Sequence, residues 1–141
     1  MRRGVNSSLI KKLQNAAVLA MKNAYCKYSR FPVGAAVETK DGSIFSGCNV
    51  ENASYGLSIC AERNAIFQAI AAGHQEIKTV CVVTTAKIPT SPCGACRQVI
   101  FEFGPNTRVV CIAKNGKKLR YTIRDLLPEA FSVRDLTSLG K

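Results

Sequence analysis

No run of about 18 or more apolar residues occurs in the 141-residue chain, so no segment reads as a membrane-crossing helix. Low-complexity tracts are also missing. Ten glycines and five prolines are ordinary numbers, and 47% of residues are apolar, which excludes a disordered tail and predicts one compact domain spanning 1–141. The start, Met1-Arg2-Arg3-Gly4, is basic, but Lys11, Lys12 and Lys22 interrupt the nearest apolar segment. A secretory signal is therefore not expected, and two arginines do not make a mitochondrial address. Histidine is almost absent: His74 stands alone, just after Gly73, and reads as an exposed loop residue rather than a ligand.

Acidic residues are scarce as well. Nine Asp and Glu face twenty Lys and Arg, giving a net charge of +11. Such a balance attracts nucleic acid, anionic membranes or acidic small molecules, and equally aids solubility. The densest cluster is Lys114, Lys117, Lys118, Arg120 and Arg124. Asn115-Gly116 lies inside it as a two-residue turn, so the simpler expectation is a solvated basic hairpin rather than a nucleic-acid patch.

Cysteine is what the chain does have. Seven is an odd number, and without an export signal it argues against a disulfide framework. In a reducing compartment, clustered thiols are metal ligands or small buried hydrophobes. The expected location is cytoplasmic.

Apolar positions Ile10, Leu13, Ala17, Ala20 or Met21, and Ala24 recur at helical spacing, behind a cap at Ser7 or Ser8. Val33 to Thr39 and Ile44 to Cys48 read as a hairpin around Asp41-Gly42. Asn49 to Ile59 has no periodicity and predicts a long ordered loop. A helix over 61–72 stops at Gly73, and Val80 to Thr84 suits a strand buried on both faces. Cys93 to Phe103 forms the next helix, Arg108 to Ala113 and Lys117 to Tyr121 flank the Asn-Gly turn, and Thr122-Ile123-Arg124-Asp125 resembles a capping box. The order α-β-β-α-β-α-β-β-α predicts an α/β fold, a three-layer α-β-α arrangement around a mixed five-stranded sheet.

Two cysteine segments each stand where a helix begins. One is Cys60-Ala61-Glu62-Arg63, the other Pro92-Cys93-Gly94-Ala95-Cys96-Arg97. Cys93 and Cys96 are one helical turn apart, so both sulfurs lie on one side, which suits a soft or borderline cation with zinc as the default. A lone CxxC is also compatible with a redox pair or half of a structural zinc site. A fourth ligand would have to come from Cys26, Cys48, Cys81 or Cys111. Cys81 and Cys111 sit in apolar strand patterns and read as buried free thiols, and Cys26 and Cys48 lie at element ends. Three ligands and an open fourth position is the better reading, and that is the pattern of catalytic zinc.

Glu62, two residues after Cys60, can stand beside the metal without binding it and carry a proton between water and a substrate nitrogen. Its bland alternative is an ordinary first-turn glutamate favoured by the helix dipole. A His or Cys, one residue, Glu, then Pro-Cys-x-x-Cys is a zinc-deaminase signature, present here in its all-cysteine version. Three thiolates leave a negative centre that needs offsetting. Two helix N-termini, Arg63 and Gln98 are the candidate donors for that task, Arg63 being equally readable as a surface arginine.

Taken together, Phe31-Pro-Val-Gly-Ala-Ala36, Gly47-Cys-Asn-Val-Glu-Asn-Ala-Ser-Tyr55, Cys60-Ala-Glu-Arg63, Ser91-Pro-Cys-Gly-Ala-Cys-Arg-Gln98 and Leu126-Leu-Pro-Glu-Ala-Phe131 resemble the homotetrameric cytidine deaminase family over nearly the whole chain. The resemblance implies one zinc ion per subunit, a free cytidine or deoxycytidine substrate and a homotetramer with shared active sites. It implies that Phe31 stacks beside the pyrimidine, that Asn49 and Glu51 bind the sugar 3′-hydroxyl, and that Ala61 lends a backbone group to the base. It further implies that Tyr55 lies near a subunit boundary and that Phe131 reaches into a neighbour's pocket. Lys27 and Ser132-Val133 depart from the family's usual Pro and Gly-Pro.

Three rivals share parts of this pattern. A polynucleotide-editing deaminase typically uses His where Cys60 stands and needs a groove along the phosphate backbone, and Glu51 argues against a 3′-phosphate. A blasticidin-type deaminase shares the cysteines but is disfavoured by the Leu-Leu-Pro-x-Ala-Phe ending. A non-catalytic zinc module predicts four protein ligands.

Overall fold

A five-stranded mixed sheet in the order β2-β1-β3-β4-β5 organises the computed structural model, which describes residues 4–138. The basic start at Met1-Arg2-Arg3 lies outside them. The strands are β1 (Val33–Thr39), β2 (Ile44–Cys48), β3 (Ile77–Thr84), β4 (Arg108–Ile112) and β5 (Lys118–Thr122). Only β3 and β4 run parallel, and α3 (Gly94–Phe103) makes the crossover between them. The other three pairings are antiparallel.

The alternation of side chains divides the core into two layers. Ala36, Cys81, Val83, Val110 and Ile112 face α1 (Ser7–Met21), whose Ile10, Leu13 and Ala17 are buried against them. Ala35, Val37, Val80 and Val82 point the other way, onto Ala61, Ala65, Ile66 and Ala69 of α2 (Ala61–Ala71) and Ile100 of α3. A period of two in the strands and of three to four in the helices therefore yields helices on both faces. This is the expected three-layer α/β arrangement.

Several boundaries differ from the sequence reading. The cap of α1 is Asn6, whose Oδ1 accepts from the Ser8 amide at 2.8 Å, rather than either serine. β3 begins at Ile77, three residues earlier than the apolar run suggests, because Lys78 is exposed while its neighbours Ile77 and Thr79 are buried. The Thr122/Asp125 capping box opens α4 (Ile123–Leu126) as expected. A second short helix, α5 (Val133–Thr137), comes after it, with the Asp135 carboxylate accepting from the Ser132 amide at 2.7 Å. Gly73, at φ 95, stops α2 in the left-handed region that side chains avoid. All five cations of the β4–β5 hairpin cluster are exposed, and β5 is one of the two sheet edges. Charge there blunts an unpaired strand edge. His74 is half-buried rather than exposed, with its ring 5.3 Å from that of Phe45 and Nδ1 3.6 Å from Asp41 Oδ1.

Candidate active site

The N-termini of α2 and α3 meet at three sulfurs. Cys60 caps α2 and Cys93 caps α3, both in extended conformation and neither making a side-chain cap hydrogen bond. The first-turn amides of both helices thus bring their positive ends toward thiols rather than hydroxyls. Gly47 lets α2 come this close to the sheet: a Cβ there would lie 2.7 Å from the Ala65 nitrogen and 3.0 Å from the Ala61 oxygen.

The Sγ atoms of Cys60, Cys93 and Cys96 all lie within 4.8 Å of one another, and those of Cys60 and Cys93 are 3.7 Å apart. Tetrahedral zinc with bonds of about 2.3 Å sets its sulfurs about 3.8 Å apart, so the donor set fits this ion in both chemistry and span. Among the described residues no His, Asp, Glu or further Cys joins the cluster as a fourth ligand. Cys81 and Cys111 are buried free thiols, pushed up to about 12 mainly by desolvation.

Charge around the sulfurs is arranged rather than diffuse. Cys60 is held well below the usual thiol range, first by the hydrogen bond from Cys96 and further by Arg63. Cys96, as the donor in that pair and largely buried, is pushed up. Arg63 Nη2 donates to Cys60 Sγ at 3.5 Å. Glu62 is 5% exposed, burial raises its carboxyl above the ordinary value, and Oε2 lies 3.6 Å from Cys96 Sγ. Ala61, fully buried, sits between the metal-ligand position and this carboxyl in the chain.

A second group lies on the loops before β1 and after β2. Asn49 Oδ1 accepts from the Val33 amide at 2.9 Å while Nδ2 donates to the Phe31 carbonyl at 2.8 Å, fixing Phe31, whose ring is 37% exposed. Glu51 Oε1 accepts from the amides of Tyr28 and Ser29 at 3.0 and 3.1 Å, and Oε2 accepts from the Ser29 hydroxyl. Those bonds, the hydroxyl first, hold its carboxyl below the ordinary value. Glu51, Tyr28, Ser29, Tyr55 and Ser58 line a cleft of about 340 Å³. The long loop is ordered as expected: Val50 bridges to both Tyr25 and Ile59.

Tyr55 and Phe131 are 76% and 59% exposed, and Tyr55 packs edge-on to Tyr28 at 6.0 Å. Gln98, expected near the thiolates, instead donates Nε2 to the Phe131 carbonyl at 2.8 Å. It stands two residues beyond Cys96, and two helical steps of about 100° turn it away from that sulfur. Sequence reasoning assigned no role to Ser29 or Arg97. Arg97 had a visible signal as the cation directly after a metal-ligand position; Ser29 had none, since its partner is 22 residues away.

Comparison with known proteins agrees with this geometry. Residues 7–113 match the cytidine and deoxycytidylate deaminase zinc-binding region. The chain is 47% identical over 121 residues to a cytidine deaminase of Halalkalibacterium halodurans, covering 85% of this chain and 92% of that one. It is 44% identical over 129 residues to a cytidine deaminase of Sporosarcina psychrophila, covering 91% and 95%. The crystal structure of cytidine deaminase from Burkholderia pseudomallei superposes with a TM-score of 0.82 at 47% identity, covering 91% of this chain and all of that one. With three convergent cysteines, a buried glutamate beside them and these relatives along most of its length, the chain belongs to the cytidine deaminase family of zinc-dependent hydrolases.

Proposed function

We propose that this chain hydrolyses the C4 amino group of free cytidine and deoxycytidine, giving uridine and deoxyuridine plus ammonia, in cytoplasmic pyrimidine salvage. Residues 1–141 act as one catalytic domain. The observation that carries this reading is a buried carboxyl, Glu62, whose Oε2 is 3.6 Å from one of three sulfurs gathered at two helix N-termini.

Cys60, Cys93 and Cys96 hold one zinc ion, which supplies Lewis acidity and lowers the pKa of a water. Glu62 takes one proton from the attacking water and delivers it to ring N3 as the C4–O bond forms. It then takes the second proton from the new C4 hydroxyl and passes it to the amine, which leaves as ammonia while C4=O forms. A carboxyl raised by burial is suited to both directions of transfer. Phe31 offers a ring face to the base and Ala61 a backbone group. Arg63, with Nη2 on the Cys60 sulfur, offsets the negative thiolate centre.

Glu51 and the remaining amide N–H of Asn49 receive the sugar 3′-hydroxyl. An anion held below its ordinary pKa at that place accepts a hydroxyl and repels a 3′-phosphate, which favours free nucleosides over polynucleotides. The exposed rings of Tyr55 and Phe131 are accounted for by a homotetramer in which Phe131 enters a neighbour's pocket.

The test is an ultraviolet assay on cytidine and deoxycytidine with zinc quantified in the same sample, alongside a cytidine-containing oligonucleotide and blasticidin S. Nucleoside turnover with one zinc per chain is expected. Preference for the oligonucleotide or the antibiotic would replace the substrate assignment, and bound zinc without any turnover would favour a zinc-binding module. Sedimentation of the active enzyme as a monomer would remove the tetramer.

A further inference from the structure

One guanidinium joins the cysteine turn to the C-terminal arm. Arg97 Nε donates to the Pro92 carbonyl at 2.8 Å, Nη2 to the Ser91 hydroxyl at 3.0 Å, and Nη1 to the Leu126 carbonyl at 2.9 Å. Ser91 and Pro92 immediately precede Cys93, and Arg97 itself comes directly after Cys96, so the first two bonds fix both ends of the metal-binding turn. Leu126 closes α4 and opens the irregular stretch that ends at Phe131 and Ser132. The next residue on α3, Gln98, holds the far end of that stretch through the Phe131 carbonyl at 2.8 Å.

All three acceptors of Arg97 are uncharged, so this contact is not an ion pair. What the side chain contributes is a planar fork with donors in fixed directions, which a lysine ammonium cannot reproduce across three acceptors. Ordering so long a side chain costs rotamer freedom, and three simultaneous bonds from a half-buried position offset that cost.

We propose that Arg97 is a positioning residue that couples the Cys93/Cys96 turn to the arm from Leu126 to Phe131, through its bonds to Ser91, Pro92 and Leu126. The coupling is reciprocal: zinc in the turn protects the arm from opening, and the docked arm slows loss of zinc. It rests on the three-cysteine zinc site and is independent of which nucleoside is the substrate.

The experiment uses the full chain loaded with zinc, as wild type, Arg97→Ala, Arg97→Lys and Ser91→Ala. Zinc transfer to a chromophoric chelator is timed, and backbone hydrogen exchange is followed over residues 126–132 with and without zinc. Amides of α1, on the opposite face of the sheet, serve as the internal reference for global unfolding. Arg97→Ala is expected to release zinc about tenfold faster or more, within the range for residues that support metal ligands. Its arm exchanges quickly whether zinc is present or not, whereas the wild-type arm is protected by zinc. Arg97→Lys keeps the charge and should fail in the same way, and Ser91→Ala, which removes one acceptor, should show a smaller change in both readouts.

Wild-type arm exchange indifferent to zinc would overturn the proposal, as would Arg97→Lys matching wild type within about twofold. Should Arg97→Ala not fold, unchanged zinc release and arm exchange in both Ser91→Ala and Arg97→Lys would overturn it equally. Wild-type protein lacking nucleoside turnover while showing the zinc-linked arm protection would sink the substrate reading and leave this coupling standing.

Discussion

Arg63 places Nη2 3.5 Å from the sulfur of Cys60, while its Nε is buried with no hydrogen-bond partner among the described residues. An arginine on the helix surface would keep that nitrogen in water. Leaving it orphaned is costly, and the compensation available here is the attraction of the guanidinium to a negatively charged sulfur. Removing it should therefore hurt the metal before it hurts the fold. Arg63→Ala is expected to weaken zinc affinity by about ten- to a hundredfold and to lower turnover, measured by competition with a chelator and by steady-state assay. Zinc affinity and turnover both equal to wild type would end the charge-offset role.

Glu62 is expected to separate chemistry from metal binding. The glutamine variant keeps the side chain's shape at a buried position and removes its capacity to carry a proton. Zinc content should stay at one per chain while kcat falls by about a hundred- to ten-thousandfold. Retained turnover in Glu62→Gln would remove this residue from the mechanism.

Gly47 tests how the sheet sets the position of Cys60. A Cβ at this residue would stand 2.7 Å from the backbone nitrogen of Ala65 and 2.9 Å from Asn64 Cβ, so α2 must shift to accommodate it. Gly47→Ala is expected to destabilise the protein by about 1–3 kcal/mol in denaturant titration and to loosen zinc as the α2 N-terminus moves. An unchanged midpoint would show that β2 yields instead of the helix.

The β1–β2 turn carries a pH-dependent contribution to stability. Asp41 accepts from Thr39 Oγ1 at 2.6 Å and from the Ser43 amide at 3.0 Å. With the Thr39 hydroxyl as the first cause, its carboxyl is lowered from 3.8 to about 2. A pKa depressed by folding stabilises the native state above the unfolded-state value, and that contribution is lost as pH falls through the folded value. The melting difference between wild type and Asp41→Ala should be steady near neutrality and narrow between about pH 4 and pH 2. A difference that widens on acidification would contradict the assignment.

The parts of this molecule that were legible in the sequence are those written in local spacing. Five strands are recognisable from β-branched runs and Asp-Gly or Asn-Gly turns, and the three cysteines from their places at helix starts. Arg63 was legible as a candidate donor only from its place beside Glu62, and the structure shows it three helical steps on from Cys60, with Nη2 on that sulfur. Gln98, named only as a candidate donor, is carried by two helical steps off the face of Cys96 and donates to the Phe131 carbonyl. The Ser132/Asp135 spacing repeats that of Thr122/Asp125, yet only the earlier pair stands before a plain apolar stretch. Bonds such as Arg97 to Leu126, 29 residues apart, exist only once the sheet has brought the segments together.

Ser29 and Glu51 give the last prediction, and they bear on specificity. The Ser29 hydroxyl is the first cause of the lowered Glu51 carboxyl, ahead of the amides of Ser29 and Tyr28. Ser29→Ala removes that donor and should return the carboxyl toward its ordinary value. Because only the ionised form accepts fully from a sugar hydroxyl, the variant should begin to lose substrate affinity at a higher pH than wild type as the solution is acidified. If Glu51 meets the sugar and not the reacting C4, as proposed, the loss belongs in KM more than in kcat. A KM profile against pH from about 4 to 7, with deoxycytidine as substrate, separates the outcomes. Superimposable profiles for Ser29→Ala and wild type would mean that Glu51 does not meet the substrate through its charge, and the proposed preference for free nucleosides over polynucleotides would lose its support.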